Sequence, residues 1–171
     1  GSNKASVLGK AQEFNRMGYT AFLVDFKGSG GSVGNETTIG FKESQDVKVC
    51  YDYIKRQNPK SIILCGTSMG AVAIMKCVSE TNIQPNYLVL ECPFGSMKQT
   101  VSNRFTAMGL PSFPLCDLLV FYGGIMNGFW AFDHNPIDYA KNIHIPTLLL
   151  CGGKDERVTQ KEIDDIFLNL K

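Results

Sequence analysis

The sequence predicts an α/β protein, a three-layer αβα sandwich around a mainly parallel sheet. Three observations predict it. Short apolar runs at 19–25, 61–65, 86–91 and 145–151 have the length of buried strands, and segments with helical spacing of apolar residues lie between most of them. Each step from strand through helix to strand is long enough for the crossover that parallel pairing requires. The run 61–78, SIILCGTSMGAVAIMKCV, passes from an apolar strand through a tight glycine turn into a helix of small residues.

The elements follow in order. Residues 4–17 form an amphipathic helix, with Val7, Leu8, Ala11 and Phe14 on one face and Gly18 ending it. YTAFLVD at 19–25 is a buried strand, followed by the glycine-rich DFKGSGGS. That loop lacks the G-K-S/T ending of a phosphate-binding loop, so Asp25 is read as a carboxylate that pins the glycines through backbone hydrogen bonds. Thr37 or Thr38 caps a helix reaching about Gln57, with Val47, Cys50, Tyr51 and Ile54 facing inward and Asn58-Pro59 stopping it. NYLVLE at 86–91 is another strand, closed by Pro93.

Between Phe94 and Asn142 the alternation breaks. Residues 96–108 and 114–126 are helical, and 118–132, LLVFYGGIMNGFWAF, is too short and too glycine-broken to span a membrane. This 94–142 segment is a helical lid insertion in a single domain covering 1–171. Its aromatic residues (Phe121, Tyr122, Phe129, Trp130, Phe132) either touch a greasy substrate or pack as core. Regular structure resumes with a strand at 145–151. Thr159 then caps a last helix, with Ile163, Ile166, Phe167 and Leu170 facing in.

Bulk properties narrow the functional classes. The chain has 171 residues, 44% hydrophobic and 19% charged, enough for one domain with a core. Its net charge of +1, with no basic block, argues against nucleic acid as a partner. No repeat, low-complexity tract or signal-peptide pattern is visible. The six cysteines form no C-x-x-C and no zinc-site spacing with histidine. They read as buried thiols in a reducing, cytoplasmic setting, the alternative being disulfides in an exported protein.

The turn Gly66-Thr67-Ser68-Met69-Gly70 carries the chemistry. A serine that attacks a carbonyl must stand clear of its own backbone, so the chain bends tightly at that residue. Side chains two positions before and after would collide, which calls for Gly66 and Gly70. The helix begins directly under Ser68, and its N-terminal N–H groups and dipole point at charge developing there.

Four ordered motifs resemble the α/β-hydrolase superfamily along the length of the chain: GTSMG, DFKGSGGS (with Lys27 where arginine is usual), LECPF and IPTLLLCGGKDERV. The branch they resemble is that of small serine hydrolases, esterase- or aminopeptidase-like. The resemblance implies Ser68 as nucleophile, Asp155 as the acid that orients a histidine, and the backbone N–H of Met69 as an oxyanion donor. Glu91 stands where some members carry the acid instead.

A serine hydroxyl needs a general base. In this fold the order is serine, acid, histidine. No histidine follows Asp155; His134 and His144 both precede it. His144, just before a strand, lies at the end of the sheet away from the turn. His134, at the return from the lid, either stands near the site as the base or is an ordinary loop histidine, and the second is the plainer reading. The sequence therefore reads as the central piece of a longer hydrolase, with strands, the second oxyanion donor and the histidine supplied from beyond its ends.

The function implied is cleavage of a small-molecule ester or amide through an acyl-enzyme on Ser68, with no metal or organic cofactor required. An acyltransferase would use the same residues. The alternative is a non-catalytic hydrolase-fold module that binds a ligand or a protein. Oligomeric state is not legible.

Overall fold

Three of the four predicted strands form a sheet in a computed structural model that describes residues 3–153 and 158–171. They are β1 (Ile63–Thr67), β2 (Tyr87–Glu91) and β3 (Thr147–Leu150), all parallel, in the order β1-β2-β3. Leu64 lies opposite Leu88 and Glu91 opposite Leu150, so the strands end in step. On β2 the alternation is explicit: Leu88 and Leu90 are buried, while Val89 and Glu91 between and beyond them are half-buried.

The chain divides into two compact units, one up to Thr38 and one from Ile39 on. In the first, a single 3-10 turn (Lys4–Val7) leads into α1 (Leu8–Arg16). Asn3 caps the turn by accepting the Ala5 N–H at 3.0 Å. Ala11 is buried and the Phe14 ring stacks edge-on to Tyr19, but Leu8 is half exposed, so the predicted inward face is only partly covered.

The predicted strand at 19–25 is not one. The segment carries no ladder, and Phe22 is 52% exposed. An apolar run becomes a strand only when a neighbouring strand pairs with it, and no described segment of this unit is a strand; the Tyr19 N–H goes instead to the Phe14 carbonyl at 3.0 Å, and the Asp25 carbonyl accepts the Ser32 hydroxyl at 2.8 Å. The following loop is built as its residues demand. The Asp25 carboxylate accepts the backbone N–H of Gly31 at 3.2 Å and of Lys4 at 2.6 Å. Those bonds, with the Lys4 ammonium at 3.2 Å, hold its pKa below the usual carboxylate value. Gly30, at φ +56, leaves no room for a Cβ against that carboxylate.

The second unit holds the sheet and six helices among the described residues: α2 (Glu43–Lys55), α3 (Met69–Glu80), α4 (Met97–Ala107), α5 (Leu115–Asn127), α6 (Pro136–Ala140) and α7 (Gln160–Asn169). α2 starts later than the predicted Thr37 or Thr38 cap. Ile39 (φ 55) and Gly40 (φ +101) form a left-handed bend that no helix tolerates, and Glu43 accepts the Gly40 N–H at 3.0 Å. Val47 and Tyr51 are buried as predicted; Cys50 and Ile54 are half-buried.

α3 is the centre of the unit. Ala71 to Val78 are all buried, and the helix packs on β1, β2, α2 and α6. α4 and α5 close a separate small core of Met97, Val101, Cys116, Val120 and Ala131, against which Phe105, Phe129 and Phe132 pack. Their inner aromatic residues are therefore core. The outer face of α5 exposes Leu118, Leu119, Tyr122, Ile125 and Met126, with Phe121 and Trp130 also exposed. On α7, Ile163 and Ile166 are buried but Phe167 is exposed, and Thr159 with Glu162 completes a reciprocal capping box.

Two cysteines depart from the buried-thiol reading. Cys77 and Cys116 are buried, Cys50 and Cys92 half-buried, and Cys65 and Cys151 exposed.

Candidate active site

β1 ends at Thr67, α3 begins at Met69, and Ser68 between them has φ 51 and ψ −116. A residue with a Cβ holds such angles only under strain of about 1–3 kcal/mol, and only where its surroundings enforce them. Here the enforcement is visible. The Ser68 N–H donates to the Glu91 carbonyl on β2 at 2.7 Å, and the Ser68 carbonyl accepts the Val72 N–H at 3.1 Å. The side chain is left exposed at the head of the helix.

The two glycines of the turn are not equivalent. A Cβ on Gly66 would stand 2.5 Å from the Gly70 carbonyl carbon and 2.6 Å from the Ala71 nitrogen. A Cβ on Gly70 would meet open space. The predicted collision therefore holds for Gly66 alone, because its Cβ points into the first turn of α3 while that of Gly70 points away. A third glycine matters more than the sequence suggested. Gly40 lies against the same turn, where a Cβ would come 2.8 Å from Val72 and 3.2 Å from the Met69 carbonyl oxygen.

Around Ser68 the strand ends bring together Thr67 and Glu91. The Thr67 hydroxyl donates to the Glu91 carboxylate at 2.6 Å. Met69 occupies the first position of α3, at the positive end of the helix dipole. Asp155 lies outside the described residues. His144 is exposed and precedes β3, whereas Ser68 follows β1; in parallel strands these are opposite ends of the sheet.

His134 lies in the loop before α6, as the sequence implies, but it is not an available base. It is fully buried, and both ring nitrogens are occupied: Nδ1 lies 2.9 Å from the Tyr139 hydroxyl and Nε2 lies 3.0 Å from the Ile39 carbonyl oxygen. A carbonyl only accepts, so Nε2 carries the proton and Nδ1 accepts from Tyr139. Burial pushes the imidazole down to about 4, with the Lys76 ammonium contributing, against the Ile39 bond, Glu43 and Glu80. The ring is neutral and ties Ile39, beside Gly40, to the loop before α6. Lys76 is itself buried, paired with Glu80 and set 4.0 Å over the Phe41 ring.

Sequence reasoning missed this cluster because a buried lysine and a buried histidine in unrelated segments carry no spacing signal. It also missed Glu162. That carboxylate completes the α7 cap and also accepts the Gly95 N–H at 2.9 Å; the sequence reading gives only the Thr159 half of the cap. Among the described residues, no group of three or more His, Cys, Asp or Glu side chains is placed to hold a metal, and no helix is long and apolar enough to cross a membrane.

A parallel sheet ending at a strained serine on a strand-to-helix bend defines an α/β-hydrolase. The model of the family described as serine aminopeptidase, S33, matches residues 6–118, and the chain belongs to that family of serine hydrolases. It is similar to the uncharacterised Bacillus subtilis protein YqkD, with 25% identity over 158 residues, 90% of this chain and 52% of that one. It is also similar to the Xenopus tropicalis lysophosphatidylserine lipase ABHD12, with 28% identity over 92 residues, 52% of this chain and 23% of that one. Among solved structures, an esterase of Pyrococcus furiosus has 26% identity and a TM-score of 0.70, covering 90% of this chain and 57% of its own. The chain thus spans about half the length of the Bacillus relative and of the Pyrococcus esterase.

Proposed function

We propose that the protein of which this chain is part is a serine hydrolase that cleaves small acyl esters or amides through an acyl-enzyme on Ser68. The observation that carries the reading is the strained backbone of an exposed serine at the head of α3, held from the neighbouring strand. The hydroxyl attacks the substrate carbonyl, and the tetrahedral oxyanion is met by the Met69 N–H and a second donor. Each such donor lowers the barrier by about 3 kcal/mol. The proton goes to a histidine outside these 171 residues, because both ring nitrogens of His134 are committed and His144 lies at the other end of the sheet. Asp155, following β3 in sequence, is assigned to orient that histidine. Water then releases the acyl group.

Esters are favoured over peptides by the Pyrococcus esterase and the Xenopus lipase among the relatives, and by the apolar outer face of α5. A fluorophosphonate probe on the full-length protein labels Ser68, and Ser68→Ala abolishes labelling. Labelling that survives the substitution ends the proposal. A series of p-nitrophenyl esters of rising chain length, run beside aminoacyl amides, then separates esterase from amidase activity.

A further inference from the structure

The strands end in step, and the residues that follow β2 and β3 are both cysteines. The ladder runs one step past the strands. Leu88, opposite Thr147, donates its N–H to the Pro146 carbonyl at 3.0 Å; by the same offset Cys92 donates to the Leu150 carbonyl at 2.8 Å. Cys92 is therefore opposite Cys151. Adjacent strands lie about 4.8 Å apart, within the roughly 4.4–6.8 Å between Cα atoms that a disulfide spans.

Two further features suit the pair to bond. Both cysteines line one small, open hollow of about 50 Å³, together with Gly152, Gly153, Val158, Gln160 and Ile163 among the described residues. Cys92 also has φ 48, a left-handed bend that releases its Cβ from the pleat of the sheet. Among the described residues Cys151 is exposed, whereas Cys77 and Cys116 are buried.

We propose that Cys92 and Cys151 form a redox-active thiol pair that closes to a disulfide across the ends of β2 and β3 and slows acylation at Ser68. With hydrogen peroxide as oxidant, the Cys151 sulfur takes one oxygen to become a sulfenic acid, and the departing hydroxide takes up the proton given up by the thiol and leaves as water. The Cys92 thiol then attacks that sulfur, the S–S bond forms, and the oxygen leaves as a second water. Two thiols give up two electrons and two protons in all, and the peroxide is reduced to two waters. A dithiol reductant reverses the step by exchange. The link to acylation is short: Cys92 follows Glu91, whose carbonyl holds the Ser68 N–H and whose carboxylate holds Thr67. A bridge that pulls on Cys92 pulls on the residue that fixes the bend. This regulatory half rests on the reading of Ser68 as nucleophile; the disulfide itself does not.

The test uses the full-length protein, reduced and then treated with hydrogen peroxide. Peptide mapping yields a Cys92–Cys151 cross-link, and fluorophosphonate labelling of Ser68 slows by about tenfold or more, as a small displacement at a reacting group does. Dithiothreitol restores it. Cys151→Ser labels at the untreated rate and loses both the cross-link and the slowing. Oxidation that leaves these two cysteines unlinked overturns the proposal, as does equal slowing in Cys151→Ser. A cross-link with unchanged labelling overturns the regulatory half. A cross-link in a protein whose reduced form never labels upholds the thiol pair and sinks the nucleophile reading instead.

Discussion

Acid should weaken this protein through one histidine, and the size of the effect follows from its surroundings. His134 has an ordinary value of 6.5 and is pushed down to about 4 in the fold. The unfolded chain therefore binds the proton more tightly than the folded one, so stability is lost as pH falls below 6.5 and the loss levels off below about 4. The full span corresponds to about 3 kcal/mol at about 1.4 kcal/mol per pH unit, and about 2.5 kcal/mol is gone by about pH 4.5. Other groups titrate in the same range, so the measurement is a difference. Chemical denaturation of the full-length protein at pH 7.5 and 4.5 is compared with that of His134→Gln. The variant is less stable at pH 7.5, since Tyr139 and Ile39 lose good partners, but its drop on acidification is smaller by about 2.5 kcal/mol. An equal drop in the two proteins would mean that His134 takes up a proton in place, and the neutral, doubly bonded ring described above would be wrong.

Three further outcomes test the packing around the bend. Gly66→Ala lowers the stability of the protein by about 3 kcal/mol or more by driving a methyl group into the first turn of α3, whereas Gly70→Ala changes it by less than about 1 kcal/mol, both read from thermal unfolding. Ser68→Gly and Ser68→Ala both abolish probe labelling, but the glycine variant is more stable by about 1 kcal/mol because it relieves the strained φ; equal stabilities would deny the strain. Lys76→Ala costs about 2–3 kcal/mol through lost packing under Phe41 and Tyr139, while Lys76→Met, which keeps the stem and removes the buried charge, stays within about 1 kcal/mol of the parent in denaturant.

What the sequence made legible was what short-range chemistry dictates. The strand-turn-helix around Ser68, the cap at Thr159 and the carboxylate of Asp25 each follow from a few adjacent residues, and the structure carries the corresponding bonds. Residues 19–25 have the composition of a strand, yet pairing depends on a neighbour that composition does not specify. The start of α2 was misplaced because Ile39 at φ 55 is a conformation its side chain disfavours, imposed by His134 from 95 residues away in the chain. The opposition of Cys92 and Cys151 depends on register between strands, which no local pattern encodes.

The hydrogen bond that fixes Ser68 runs from its main chain to the main chain of Glu91. Neither group depends on the identity of a side chain. A lineage inheriting this scaffold can thus exchange the hydroxyl for a thiol or a carboxylate in a single codon step or two and keep the side chain at this position aimed as before. Chemical novelty would then be decoupled from architectural risk, with the support for the bend already in place before any particular reaction is selected.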